Sequence, residues 1–259
     1  MTDPIVVTGA PGSGKTTLVA HLAKALELPV VLPDEGSAAS QAVDAERYEK
    51  LGVMLAEPGA STTIVETCAY GAAWQGAAQT LIAVVDAVAG IGAAEADRAA
   101  IQQADLVVLT RGDLVDTTLV HDTAASMVSC KVIEVEHGRM APEALPEARL
   151  RKIALPGWPL AETWDYSGAA RLDAALAERL LKGRPKQITR IKGRTIAGET
   201  GLMLDLSGRA RSVTPCGTPP ETLLFAAGPP DCFHGPDMAL HFAEIASAAS
   251  ASAGWFGFR

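Results

Sequence analysis

The chain has 259 residues, 48% hydrophobic and 20% charged, with a formal net charge of −8. That supplies one large packed core or two modest ones and excludes a globally disordered chain, while the acidic balance excludes a general nucleic-acid binder, whose footprint is basic. No apolar run reaches the roughly 18 residues that cross a bilayer, Met1 to Val7 has no basic n-region, and Cys68, Cys130, Cys216 and Cys232 form no CxxC pair. The expectations are a cytoplasmic protein with no signal peptide, no disulfide framework and no membrane partner.

In chain order, Ile5-Val6-Val7 predicts a buried strand and Thr16 to Leu28 the helix after it. Pro29 to Leu32, Thr63 to Glu66, Leu81 to Val85, Leu106 to Leu109 and Lys131 to Val135 predict further strands, with helices over 97–104 and 116–129. These strands show little polar alternation, as expected when both faces of a parallel sheet are covered, and alternation with helices predicts a doubly wound α/β domain over 1–145. Between about 139 and 160 Pro and Gly break the periodicity, which reads as a linker or lid. Beyond it, a helix from Ala169 to Lys182, strands at Gln187 to Ala197, Leu202 to Leu206 and Thr222 to Ala226, and a helix from Pro236 to Ala248 predict a smaller α+β domain over 160–259.

Gly9-Ala-Pro-Gly-Ser-Gly-Lys15-Thr16 satisfies G-x-x-x-x-G-K-[ST] directly after a strand and before a helix. Gly9, Gly12 and Gly14, with Ser13 between them, let successive backbone N–H groups turn inward on an anion, and the helix N-terminus adds its positive end. Lys15 is expected on the β- and γ-phosphates, the Thr16 hydroxyl on Mg²⁺, and Thr17 beside the nucleotide. Glu66 ends an apolar strand, where such a protein places the carboxylate that holds Mg²⁺ or its water. Asp86 ends the next strand and is a weaker candidate, with a strand-cap role equally open.

Leu106 to Leu109 leads into Thr110-Arg111-Gly112-Asp113. An Asp there accepts hydrogen bonds from N1–H and the 2-amino group of guanine, whereas adenine has no matching donors. The usual reader is Asn-Lys-x-Asp; here Thr110 loses the amide's second hydrogen bond, and Arg111 is left to lay its stem along the base. His137, beside Gly138 after the last strand of the first domain, is where such folds close over the base.

Together these segments resemble the CobW-type GTPases, relatives of the hydrogenase and urease maturation GTPases. The resemblance is carried by Val6 to Leu18, Val30-Val-Leu-Pro-Asp34-Glu35-Gly36, Ile64-Val-Glu66-Thr67-Cys68, Val84-Val-Asp86-Ala87 and Ala104 to Leu114. Ile188-Thr-Arg-Ile-Lys192-Gly193 resembles the start of the family's C-terminal domain. It implies binding of GTP and GDP with Mg²⁺, hydrolysis centred on Lys15 and Glu66, metal ligation by Thr16, Glu35 and Glu66, and coupling to maturation of a client metalloenzyme. A client protein and a second copy of the chain are the expected partners.

Two departures matter besides that of the Thr110-Arg111-Gly112-Asp113 segment. The family's thiol motif falls on Lys50 to Ala56, where every expected thiol position is apolar and Met54 reads as core packing. The switch glycine corresponds to Ala69, with Gly71 after it, which opens a second reading as a nucleotide switch or scaffold without turnover. A small-molecule kinase is a third reading, although no Arg-rich lid lies between the switch and Asp113. Cys216, Cys232, His234 and His241 match no standard zinc spacing. Trp158 and Trp164 are expected to anchor the interdomain segment, and Lys182 to Arg194 reads as a solvated edge.

Overall fold

The structure, a computed structural model, describes residues 4–32, 37–57, 60, 62–67, 75–92, 95–156, 162–207, 210–228 and 235–254. The chain divides into two compact units, 1–35 with 44–158 and 36–43 with 159–259.

In the first unit β1 (Ile5–Gly9) leads through the glycine loop into α1 (Lys15–Leu26), then β2 (Val30–Val31), α2 (Ala38–Lys50) and β3 (Ile64–Glu66). Next come β4 (Gln75–Ala78), β5 (Thr80–Asp86), α3 (Glu95–Gln103), β6 (Leu106–Thr110), α4 (Thr118–Met127), β7 (Lys131–Val135) and β8 (Arg151–Ala154). Six strands form one sheet in the order β2-β3-β1-β5-β6-β7, and every pair is parallel. Strand alternation sorts the core. Ile5, Val7, Ile64, Val84 and Val108 face Leu18, Leu22 and Tyr48 of the first two helices. Val6, Leu81, Ala83, Val85 and Val107 face α3 and α4 through Ala96, Ala100, Ile101 and Ala124. The strand order reverses beside β1, so its carboxyl end opens into the crevice where doubly wound folds take ligands. This is the expected doubly wound architecture.

Two expectations for this unit change. The segment read as a linker or lid carries fully buried Met140 and β8, which pairs antiparallel with β4. Met54 is 63% exposed rather than packed in the core. Its backbone runs beside edge strand β2, with the Met54 carbonyl accepting from Val30 N at 2.9 Å, and pleating turns the neighbouring Val53 inward instead.

The second unit contains β9 (Glu162–Gly168), α5 (Ala174–Gly183), β10 (Arg190–Ala197), β11 (Thr200–Ser207), β12 (Ala210–Cys216), β13 (Thr222–Gly228) and α6 (Gly235–Gly254). The sheet runs β12-β11-β10-β13-β9, all antiparallel, with α5 and α6 on one face through Leu180, Leu181, Met238 and Phe242. Helix α5 starts at Ala174 because the Asp173 carboxylate caps it, accepting from Leu176 N at 2.8 Å. Trp164 packs against Tyr166 and Phe242 within this core, and Trp158 lies outside the described residues. The basic run is not a simple solvated edge: Arg190 pairs with Asp205, and Lys192 is buried with its ammonium 5.4 Å from the centre of the Phe225 ring. The first residues of α2, up to 43, belong to this unit, where the Ser37 hydroxyl accepts from Ser40 N at 3.0 Å as the helix cap and donates to Asp165 at 2.6 Å. No helix among the described residues is long and apolar enough to cross a membrane.

Candidate functional site

The loop after β1 has the backbone that its glycines allow. Gly9, Gly12 and Gly14 sit at φ 147°, 75° and 90°, a region closed to most side chains. At Gly9 the approach is also close, since a Cβ would lie 2.2 Å from the Val84 carbonyl oxygen. Lys15 is buried and donates to the Gly9 and Ala10 carbonyls at 2.8 and 3.0 Å. Its ammonium is thus folded over the mouth of the loop. Ser13 Oγ is buried without a hydrogen-bond partner. An orphaned hydroxyl inside a ring of backbone donors fits a missing anion oxygen.

At the second residue of α1, the Thr16 hydroxyl donates to Glu66 Oε1 at 3.0 Å, bringing two of the three predicted metal ligands together. The other oxygen of Glu66 accepts a short hydrogen bond from the Tyr48 phenol. Glu66 is 8% exposed, and burial raises its pKa, opposed by the Lys15 charge and the Tyr48 and Thr16 hydrogen bonds. Burial, followed by the Glu66 charge, pushes the Tyr48 phenol up as well, so it remains a donor. For a carboxyl raised above its unfolded value, the stability contribution is present at acid pH and is lost as pH rises through the folded value. The Thr16 hydroxyl and a Glu66 oxygen stand side by side, and a hard oxygen set of one hydroxyl and one carboxylate fits Mg²⁺. Beside it, Thr67 Oγ1 donates to Thr8 Oγ1 at 3.0 Å and Thr67 N to the Val7 carbonyl at 2.9 Å, fixing the backbone that follows Glu66. Glu35 and Asp34, and Cys68, Ala69 and Gly71 of the expected switch, lie outside the described residues.

The segment after β6 is tied to the phosphate loop at two points. Thr110 Oγ1 donates to the Ser13 carbonyl at 2.7 Å, with the Val85 carbonyl at 3.3 Å. Its single proton is thus spent on the loop. The Arg111 guanidinium donates to the Gly12 carbonyl at 2.8 Å and pairs closely with Asp86. Asp86 also caps its own strand end, accepting from Val88 N at 3.0 Å. Arg111 has φ 57°, which turns the chain into a short 3-10 turn, Gly112–Leu114, that leaves Asp113 exposed.

Gly14, Thr17, Thr110, Arg111, Asp113, Leu114, His137 and Gly138 line one cleft of about 460 Å³. The predicted base reader and the end of the phosphate loop therefore share a space of the size that small-molecule sites use. Gly138 is required where it stands: its φ is 70°, and a Cβ would lie 2.8 Å from Thr17 Cγ2 and 3.2 Å from Leu18 N. Gly138→Ala is expected to lower stability by about 1–3 kcal/mol in chemical denaturation, because left-handed strain adds to a push on the start of α1. A midpoint equal to wild type would show that the turn is free to move.

Sequence reasoning missed Tyr48, the Thr8–Thr67 pair and the closeness of Gly138 to α1. Among the described residues no group of three His, Cys, Asp or Glu is arranged to hold a metal ion. Of the four C-terminal candidates, Cys232 and His234 lie outside the described residues, and His241 Nε2 donates to the Leu180 carbonyl at 3.1 Å.

No protein-family model matches the chain, and no curated protein matches it by sequence. Among solved structures it is similar to the Zn(II)-bound YjiA GTPase from E. coli, at 15% identity and a TM-score of 0.34 over 94% of this chain and 98% of that one. It is also similar to the hydrogenase maturation factor HypB from Archaeoglobus fulgidus, at 19% identity and a TM-score of 0.38 over 52% of this chain and 81% of that one. HypB from Helicobacter pylori in complex with nickel matches at 17% identity and a TM-score of 0.40 over 55% of this chain and 81% of that one. At identities this low, what the chain binds is decided by its own residues.

Proposed function

We propose that this chain is a Mg²⁺-dependent GTP-binding protein of CobW type that hydrolyses GTP slowly and conveys its nucleotide state to a client metalloenzyme. In this reading residues 1–145 are the GTPase domain and 160–259 the client-facing domain. The observation that carries it is the single cleft holding both Gly14 and Asp113, with Thr110 and Arg111 bonded to the phosphate-loop carbonyls. A base loop anchored in that way sets a fixed distance between base and phosphates, which a mononucleotide needs and a simple phosphate site does not.

Each residue then has a task. The N–H groups between Gly9 and Thr17 cradle the phosphates, and Lys15 leaves its loop carbonyls for the β- and γ-oxygens, where charge grows in the transition state. Mg²⁺, when bound, neutralises charge on those oxygens. Thr16 and Glu66, with Glu35 from the preceding segment, hold it, and the Thr110 and Arg111 ties keep the base loop in register. Asp113 accepts the guanine N1–H and amino protons, and His137 closes over the base. The client role rests on the resemblance of the segments quoted above; with every expected thiol position of the Lys50 to Ala56 segment apolar, thiol-based metal carriage forms no part of it.

Thermal unfolding of the metal-stripped chain with Mg²⁺ and GTP, GDP or ATP tests the reading. A ligand at 100 times its Kd stabilises the native state by about 2.7 kcal/mol. Stabilisation by GTP and GDP, reduced when EDTA replaces Mg²⁺ and not matched by ATP, is the expected result. Equal stabilisation by ATP would remove guanine specificity and bring a kinase or general NTPase forward.

A further inference from the structure

We propose that Tyr48 is a positioning residue for the metal-binding carboxylate, its phenol holding one oxygen of Glu66 so that the other is aimed at Thr16 and the cation. Tyr48 belongs to no phosphate-loop motif. It lies near the end of α2, 0% exposed, and its ring sits in the core cluster with Leu18, Leu22 and Val30. For that packing a Phe would serve. The hydroxyl adds one thing, a hydrogen bond to Glu66 Oε2. Glu66 Oε1 faces the Thr16 hydroxyl at 3.0 Å. A carboxylate otherwise rotates broadly about its last torsion, and a donor fixed on a packed ring removes that freedom. The geometry leaves Oε1 as the oxygen available beside Thr16, so Tyr48 acts on the cation only through Glu66.

The inference rests on the Mg²⁺–GTP reading above, and one experiment separates the two. A fluorescent GTP analogue is titrated onto wild type, Tyr48→Phe, Glu66→Gln and the double variant, in Mg²⁺ and in EDTA, with single-turnover GTP hydrolysis alongside. Wild type is expected to bind more tightly in Mg²⁺. In Tyr48→Phe that gain shrinks roughly tenfold, the effect of losing a hydrogen bond to a charged group, and affinity in EDTA stays within about twofold. The hydrolytic step slows in parallel. Added to Glu66→Gln, Tyr48→Phe changes nothing further, because the carboxylate it positions is gone.

A wild-type chain indifferent to Mg²⁺ overturns the Mg²⁺–GTP reading and this inference with it. A wild-type chain that responds, beside a Tyr48→Phe chain whose response is whole, overturns the inference alone. Equal loss in Mg²⁺ and EDTA, or a Tyr48→Phe effect that persists undiminished in the Glu66→Gln background, makes Tyr48 a packing residue and overturns it as well.

Discussion

Lys15→Ala is expected to lower affinity for GTP by about two to three orders of magnitude and to bring single-turnover hydrolysis to background. The side chain is the one buried cation at the mouth of the loop among the described residues, and in the nucleotide-free chain it is held by the carbonyls of Gly9 and Ala10. Those bonds are geometrically good but neutral at one end. A triphosphate offers charged acceptors in their place, and charge-assisted bonds are roughly twice as strong, so transfer of the ammonium to the nucleotide is favourable.

Truncation acts in three ways. It removes a cation from the phosphates, leaves two loop carbonyls without their donor, and removes the charge that offsets the cost of burying an ionised Glu66. The last effect weakens the cation site as well, so the Mg²⁺ dependence of binding is expected to flatten together with the affinity. Isothermal titration with GTP in Mg²⁺ and in EDTA reads both. A variant retaining affinity within fivefold of wild type would mean that the backbone amides alone hold the phosphates.

The phosphate loop was legible because its chemistry is local. Glycines, Lys15 and Thr16 stand in one short run, and the strand before it and the helix after it each carry their own pattern. The parallel sheet was legible for a related reason: strands covered on both faces are nearly continuous apolar runs. The C-terminal sheet divides differently. Its three inner strands, β10, β11 and β13, were all expected from sequence, and both edges, β9 and β12, were not. Edge strands carry polar and proline residues that keep further chains from pairing, and Glu162-Thr-Trp-Asp-Tyr-Ser-Gly and the Pro215-bearing β12 read accordingly as irregular. Helix α2 escaped because its buried stripe is narrow, Ala39, Ser40, Val43 and Tyr48, in an otherwise polar run.

Tyr48 could not be reached from spacing at all. Its partner Glu66 lies 18 residues on, in another element, and only packing brings the two together. The available signal was a lone aromatic on a polar helix, which by itself says no more than core. Asp86 was half legible: its place at the end of β5 announced a cap, while its pairing with Arg111 needed β5 and β6 to be neighbours.

Asp113→Asn is expected to exchange base preference rather than remove binding. Guanine presents N1–H and a 2-amino group, both donors, and a carboxylate accepts from both. Xanthine presents N1–H beside a carbonyl, one donor and one acceptor, and a carboxamide matches that pair with its own oxygen and NH₂. The substitution therefore turns one good bond to guanine into a donor facing a donor. The expected loss for GTP is about two to three orders of magnitude, and xanthosine triphosphate should gain relative to wild type, because a site built to pair a donor rejects the wrong edge strongly.

The fold supplies an internal control. Asp113 is exposed on a short turn, so the ligand-free variant should unfold within about 0.5 kcal/mol of wild type, unlike Lys15→Ala or Gly138→Ala. Competition of GTP, XTP and ATP for a fluorescent nucleotide on both chains reads the switch. If GTP affinity is unchanged and stability is too, Asp113 is a solvated turn residue. The ties from Thr110 and Arg111 to the phosphate loop would then serve to brace that loop, and base selection would fall to the His137 side of the cleft.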